Sequence, residues 1–183
     1  MNWLNPILIL LTAFVAIFLE ASFQGVRHML GVQIDLLPAL MVYTSLSSGF
    51  GMVVALALAG GFWFDSLSAN PLGISTLPLL LIGTLIYARR SLILREQRFA
   101  QLVLGLTASA LMPMLTLLLL LSTRQTPLVG WGSLWQWFVM SVGGALLTPA
   151  CFRLFDGLNR ALSYRPIIES SFRPDREIRR SHK

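Results

Sequence analysis

Three carboxylates interrupt long apolar stretches of this chain: Glu20 after "LTAFVAIFL", Asp35 before "LLPALMVY", and Asp65 inside "AGGFWFDSLSANPLG". A carboxylate at the centre of a bilayer costs about 2.5 to 3.5 kcal/mol on insertion scales and far less at the boundary. Two roles suit such acids. They can be interfacial groups, hydrated or paired with Arg27 and Arg124, or groups that face a cavity or a partner. Other chemistry is thinly supplied. His28 and His182 stand in a loop and a tail, without the close spacing of metal ligands. The single cysteine, Cys151, can form neither an internal disulfide nor a multi-cysteine metal site, and is expected as a small packing residue near a helix end. "FDGLNRAL" at 155–162 carries part of a phosphatidyl-transferase pattern, but the further aspartates that would hold metal at helical spacing are missing. No Ser/His/Asp set and no phosphate-binding glycine loop occurs. The expectation is a protein that is not an enzyme and uses no cofactor.

The elements that carry these residues follow from composition. With 55% hydrophobic and 12% charged residues, the chain lies far from a soluble domain. Its charge-free runs, 1–19, 36–64, 66–88, 99–123 and 125–152, are each near the roughly 20 residues of a membrane span. Lipid offers no partner to backbone N–H and C=O groups, and the runs do not alternate as barrel strands do, so each must be helical. The fold class is all-α, a polytopic integral membrane bundle in one transmembrane domain, residues 1–164. The run from Leu36 to Phe64 would reach about 43 Å as one helix, long for one span and short for two. Its "SLSSGFG" centre reads as a turn. Six spans are therefore expected, about 4–23, 35–48, 51–66, 72–88, 100–123 and 132–154, with five as the alternative. Leu4 to Phe18 has the apolar core of a secretory signal, but no Lys or Arg precedes it, and it is read as a retained first span.

Charge then orients the bundle. A sequence pI near 10.7 comes from basic residues beside the spans rather than on a soluble face, which points to membrane lipid and away from nucleic acid. They gather in the loop 89–98, with Arg89, Arg90, Arg95 and Arg98, and in the tail, with Arg153, Arg160 and Arg165 among others. By the positive-inside rule the loop, the tail and the C-terminus are cytoplasmic, and the last two spans form a hairpin pointing outward. Six spans place Glu20, Asp35 and Asp65 on the outer side; five would place Arg27 and His28 in the cytoplasm. Trp3, Trp63, Trp131, Trp135 and Trp137 suit headgroup level. Small residues at Ala55, Ala57, Ala59, Gly60 and Gly61 and at Gly143, Gly144 and Ala145 suit close helix packing or a groove for a partner helix. From Phe152 to Tyr164 a helix is expected to leave the membrane with Phe155, Leu158 and Leu162 on one face. Residues 165–183 read as a basic disordered tail, a lipid anchor or a docking peptide.

Two segments, "IDLLPALMVY" at 34–43 and "AGGFWFDSLSANPLGISTLPLLLIG" at 59–83, resemble the MreD family of bacterial rod shape-determining proteins. That family carries an Asp before an apolar run, then a Gly-rich segment ending in Phe, Asp and Pro-Leu-Gly. The likeness in length, central basic loop and basic end covers essentially the whole chain. It departs in the Phe-Trp-Phe before Asp65, where Gly-Leu is common, and in the longer tail. The resemblance implies a non-enzymatic component of the cell-elongation machinery, or elongasome, in the bacterial inner membrane. It would bind an MreC-type protein directly and share a complex with MreB, RodZ and the peptidoglycan synthases, organising lateral wall growth and cell shape as a scaffold. Asp35, Asp65, Pro71 and Gly73, with Glu20 nearby, would shape the partner-facing outer region. Such proteins are similar in fold to the substrate-binding subunits of energy-coupling-factor vitamin transporters, the alternative reading. Those subunits dock through Ala-x-x-x-Ala on the first helix, whereas Ala13 and Ala16 here are three apart.

Overall fold

Nine consecutive residues of one short helix, Leu37 to Ser45, are buried on every side, and the other helices are arranged around them. The computed structural model describes residues 4–22, 35–68, 71–93, 97–122 and 130–162, and among these all regular structure is helical. The order is α1 (Leu4–Ser22), α2 (Leu37–Ser47), α3 (Phe50–Leu67), α4 (Thr76–Arg89), a 3-10 turn (Arg90–Leu92), α5 (Arg98–Ser122) and α6 (Trp131–Leu162). The long apolar run does break in its Ser-Ser-Gly cluster: α2 ends at Ser47, and Gly49, in extended conformation, opens α3. The result is six helices rather than five.

Helix α2 touches all five others. At roughly 17 Å it is shorter than the hydrocarbon core of about 30 Å. A helix apolar all round belongs inside protein or lipid, and α2 is inside protein. By contrast α3, α5 and α6 are long and apolar enough to cross a membrane. Their exteriors and those of their neighbours expose large apolar side chains in rows, such as Ile7, Leu11 and Phe18 on α1 and Leu77, Leu81 and Leu85 on α4. Contiguous apolar exposure of this extent suits lipid, not water. The protein is a helical membrane bundle.

Small residues set the spacing between helices. A Cβ on Gly105 of α5 would lie 2.7 Å from the Gly144 carbonyl oxygen, and one on Gly144 of α6 would collide with the Ser109 side chain. A Cβ on Gly61 of α3 would lie 2.7 Å from the Thr76 Cα at the start of α4. These glycines allow backbones to meet, the usual way of gaining dispersion contact where lipid removes the hydrophobic drive. On α1, Ile9, Ala13, Ala16 and Ile17 form the buried stripe that joins the core.

The far end of α6 continues as a helix, as expected, but with a different buried face. It runs unbroken to Leu162, and Phe155 stacks on Tyr43 at a centroid distance of 4.6 Å while Phe152 meets the same ring edge-on at 5.0 Å. The Asn159 side-chain amide donates to the Tyr43 hydroxyl at 3.3 Å. Phe155 is thus core, whereas Leu158 is exposed, so the two do not share one lipid-facing stripe. Cys151 is buried in the interior of α6 and not near a helix end, because the helix continues past it. The tail 165–183 lies outside the described residues.

Candidate functional site

The three acids converge at one end of the bundle, where α1 and α3 finish and α2 and α4 begin. Asp65 is 1% exposed, and its Oδ2 accepts hydrogen bonds from the Gly73 N–H at 2.8 Å and the Ser75 N–H at 3.1 Å. Those donors belong to the turn that leads into α4, where four N–H groups lack helical partners. The turn closes on itself as the Ile74 N–H donates to the Pro71 carbonyl at 3.3 Å, and Gly73 sits at φ +91°, a left-handed conformation. Helix α4 consequently begins at Thr76, several residues later than the expected 72, because Asp65 spends Pro71 to Ser75 on the turn. Gly73 therefore belongs to the connection and does not open the span. Among the described residues Asp65 is neither hydrated at a surface nor paired with an arginine; Arg27 and Arg124 lie outside them.

Substituting Gly73 tests the turn directly. A Cβ there would meet no atom within 4 Å, so Gly73→Ala costs only the positive-φ strain. The expected loss is about 1 kcal/mol, read by thermal unfolding in detergent, and an unchanged melting temperature would show that the turn tolerates another conformation.

Glu20 performs a similar task across a longer sequence gap. Its Oε1 accepts from the Leu36 N–H at 2.6 Å, so the last turn of α1 caps the first of α2. Its other oxygen, Oε2, is buried without a partner among the described residues. Asp35, also buried, directly precedes the Leu36 whose N–H Glu20 accepts. Glu20→Ala, which leaves the Leu36 donor unpaired, is expected to cost about 1 to 2 kcal/mol. Glu20→Gln keeps an acceptor for Leu36 and removes a buried carboxylate, so it should unfold at or above the wild-type temperature. The reverse order of the two variants would show that the capping bond contributes little.

Below these acids lies a cavity of about 540 Å³ between α5, α6 and the acidic end. Asp35, Phe64 and Ser75 line it from one side, and Met112, Pro113 and Trp137 are among those lining the other. Pro113 removes one ladder hydrogen bond from α5, and one turn earlier the Trp137 indole N–H donates to the Ala110 carbonyl at 2.9 Å. Trp137 is therefore a bridge between α5 and α6, unlike the more exposed Trp131 and Trp135. Nothing in its sequence context distinguished it from them. Ser75 was likewise missed, because its position depends on the turn that Asp65 holds.

The basic residues occupy the opposite end. Arg89, Arg90, Arg98, Arg153 and Arg160 are all exposed, and Arg90 stacks over Tyr87 at 4.2 Å while its Nη1 donates to the Ser48 carbonyl at 3.3 Å. Arg95 and Arg165 lie outside the described residues. Pro71 is exposed beside the acidic end. The molecule is thus polarised, with its membrane-depth acids gathered at one end and its described arginines at the other. Among the described residues no group of three or more His, Cys, Asp or Glu side chains could hold a metal ion. No protein-family model, curated protein or solved structure matches the chain.

Proposed function

We propose that this chain is a non-enzymatic membrane scaffold of the bacterial cell-elongation complex, resembling MreD. It sits in the inner membrane with its basic end and C-terminus in the cytoplasm, and it binds an MreC-type protein directly. Through that protein it shares a complex with MreB, RodZ and the peptidoglycan synthases. The observation that carries the reading is the hydrogen bond from Gly73 to Asp65. It joins the two halves of the Phe-Asp and Pro-Leu-Gly pattern into one rigid element, with Pro71 and Leu72 exposed on its surface. Asp35, Asp65 and Glu20 then hold the partner-facing end in shape, and the exposed arginines suit the anionic cytoplasmic leaflet. The extensive apolar exterior supports assembly by helix faces.

The transporter alternative has the cavity in its favour. Against it, Ala13 and Ala16 are buried within the bundle, so α1 does not present these small residues to a docking partner. A crosslinked pull-down from native membranes, read by mass spectrometry, separates the two. Recovery of an MreC-type protein with peptidoglycan synthases is expected; recovery of transporter ATPases with their coupling protein would overturn the scaffold reading.

A further inference from the structure

The cavity at the acidic end has two unlike linings. Its wall is apolar along Met112, Leu117, Leu120, Trp137 and Met140. Two buried polar groups line it from the facing elements. Asp35 is 9% exposed, and Ser75 is 1% exposed with a hydroxyl oxygen that has no partner among the described residues. Glu20 accepts from the N–H of Leu36, the residue after Asp35, and among the described residues the arginines are at the other end. A buried carboxylate is costly unless a cationic or hydrogen-bonding partner reaches it, and two acids at one end disfavour an anion there. A cation entering the cavity offsets both effects.

The cavity volume, about 540 Å³, falls within the range of small-molecule sites, roughly 300 to 1,000 Å³. Three methionines, Met112, Met114 and Met140, give its wall a side chain that adapts to flexible apolar chains. The Ser75 oxygen can accept a hydrogen bond, so a head group that donates N–H is favoured over a fully methylated one.

We propose that this cavity binds a cationic amphiphile, whose primary ammonium head donates to the Asp35 carboxylate and the Ser75 hydroxyl while its apolar body lies against the α5 and α6 wall. The site does not depend on the scaffold reading, and it stands or falls separately from the partner pull-down.

The test uses the full-length protein in a non-ionic detergent, titrated with decylamine and followed by thermal unfolding. Decanol supplies the chain without the charge, and decyltrimethylammonium supplies the charge without N–H donors. Decylamine is expected to raise the melting temperature saturably, with the other two at least about tenfold weaker, the scale of a charge-assisted hydrogen bond. Asp35→Asn should weaken decylamine by about tenfold or more. Leu117→Trp, which fills the cavity from α5 and leaves the acids in place, should abolish the effect and covers the case in which Asp35→Asn does not fold. Decanol matching decylamine, or wild-type decylamine binding by folded Asp35→Asn or by Leu117→Trp, would overturn the proposal. Bilayer discs identify the source of the head group. Stabilisation by phosphatidylethanolamine over phosphatidylcholine that disappears in Asp35→Asn assigns the ligand to membrane lipid. Equal stability in both lipids, with decylamine still Asp35-dependent, assigns it to a free amphiphile.

Discussion

Asp65→Ala is expected to lower unfolding free energy by about 3 kcal/mol or more, the largest loss from any single acid of the chain. Hydrogen bonds to a charged group are worth about 1.5 to 3 kcal/mol each, and deleting the acceptor strands two donors in an almost dry site. The substitution removes the acceptor of both the Gly73 and Ser75 N–H groups. The turn then has no tether to α3, and α4 loses the fixed entry that sets its start. Asp65→Asn retains one acceptor oxygen and should lose less, about 1 to 2 kcal/mol. Both are measured by thermal or denaturant unfolding of the purified full-length protein. If the alanine variant unfolded with the wild type, the turn would be held by something other than Asp65. Under the scaffold proposal, a folded Asp65→Ala protein would also lose its MreC-type partner while keeping normal membrane levels; retained binding and rod shape would remove Asp65 from the interface.

The second large effect lies at the helix crossings, where two glycines should behave differently under rescue. A Cβ added at Gly144 meets the side chain of Ser109, so Gly144→Ala is expected to destabilise by about 1 to 3 kcal/mol through overpacking. Ser109→Gly in the same chain removes the obstructing atoms and should restore most of the loss. At Gly61 an added Cβ meets the Thr76 Oγ1 first, but main chain stands just behind it, with the Thr76 Cα at 2.7 Å and its N at 2.9 Å. Gly61→Ala should cost about 3 kcal/mol, and Thr76→Gly should recover little, because α3 and α4 themselves must separate. Melting temperatures of the four proteins decide the matter: equal rescue at both sites would mean that α3 and α4 can move apart freely.

These two predictions mark different depths of legibility. The unusual setting of Asp65, between an apolar run and Asn-Pro-Leu-Gly, was visible in the sequence, but its partners were not. They are backbone donors eight and ten residues away, brought back by a turn whose geometry depends on a positive φ at Gly73. From residue types alone, hydration, pairing with Arg27 or Arg124, and a place facing a cavity or partner were all open, and those two arginines lie outside the described residues. Small residues along α3 and α6 were equally visible as packing positions. Which of them faced a main chain and which a side chain required the crossing itself. Glu20 and Asp35 read as boundary acids; that Glu20 caps the helix that follows Asp35 is seen only once α1 and α2 are brought end to end.

The sequence by itself determined the helices and the polarity of the bundle. Backbone groups in lipid must be satisfied within each apolar run, the Ser-Ser-Gly break is local, and the basic loop and tail are countable. Only the tertiary structure decided that α2 is central, that Phe155 is core and that α5 and α6 flank an open cavity beside Asp35. The physical reason is that lipid tails are as apolar as leucine. In water, a hydrophobic stripe marks the buried face; here an apolar residue is equally at home against lipid or protein, so periodicity does not tell them apart. What selects the buried face is shape: glycines that admit a neighbour, an aromatic pair that fits, and the few polar groups that must find one another.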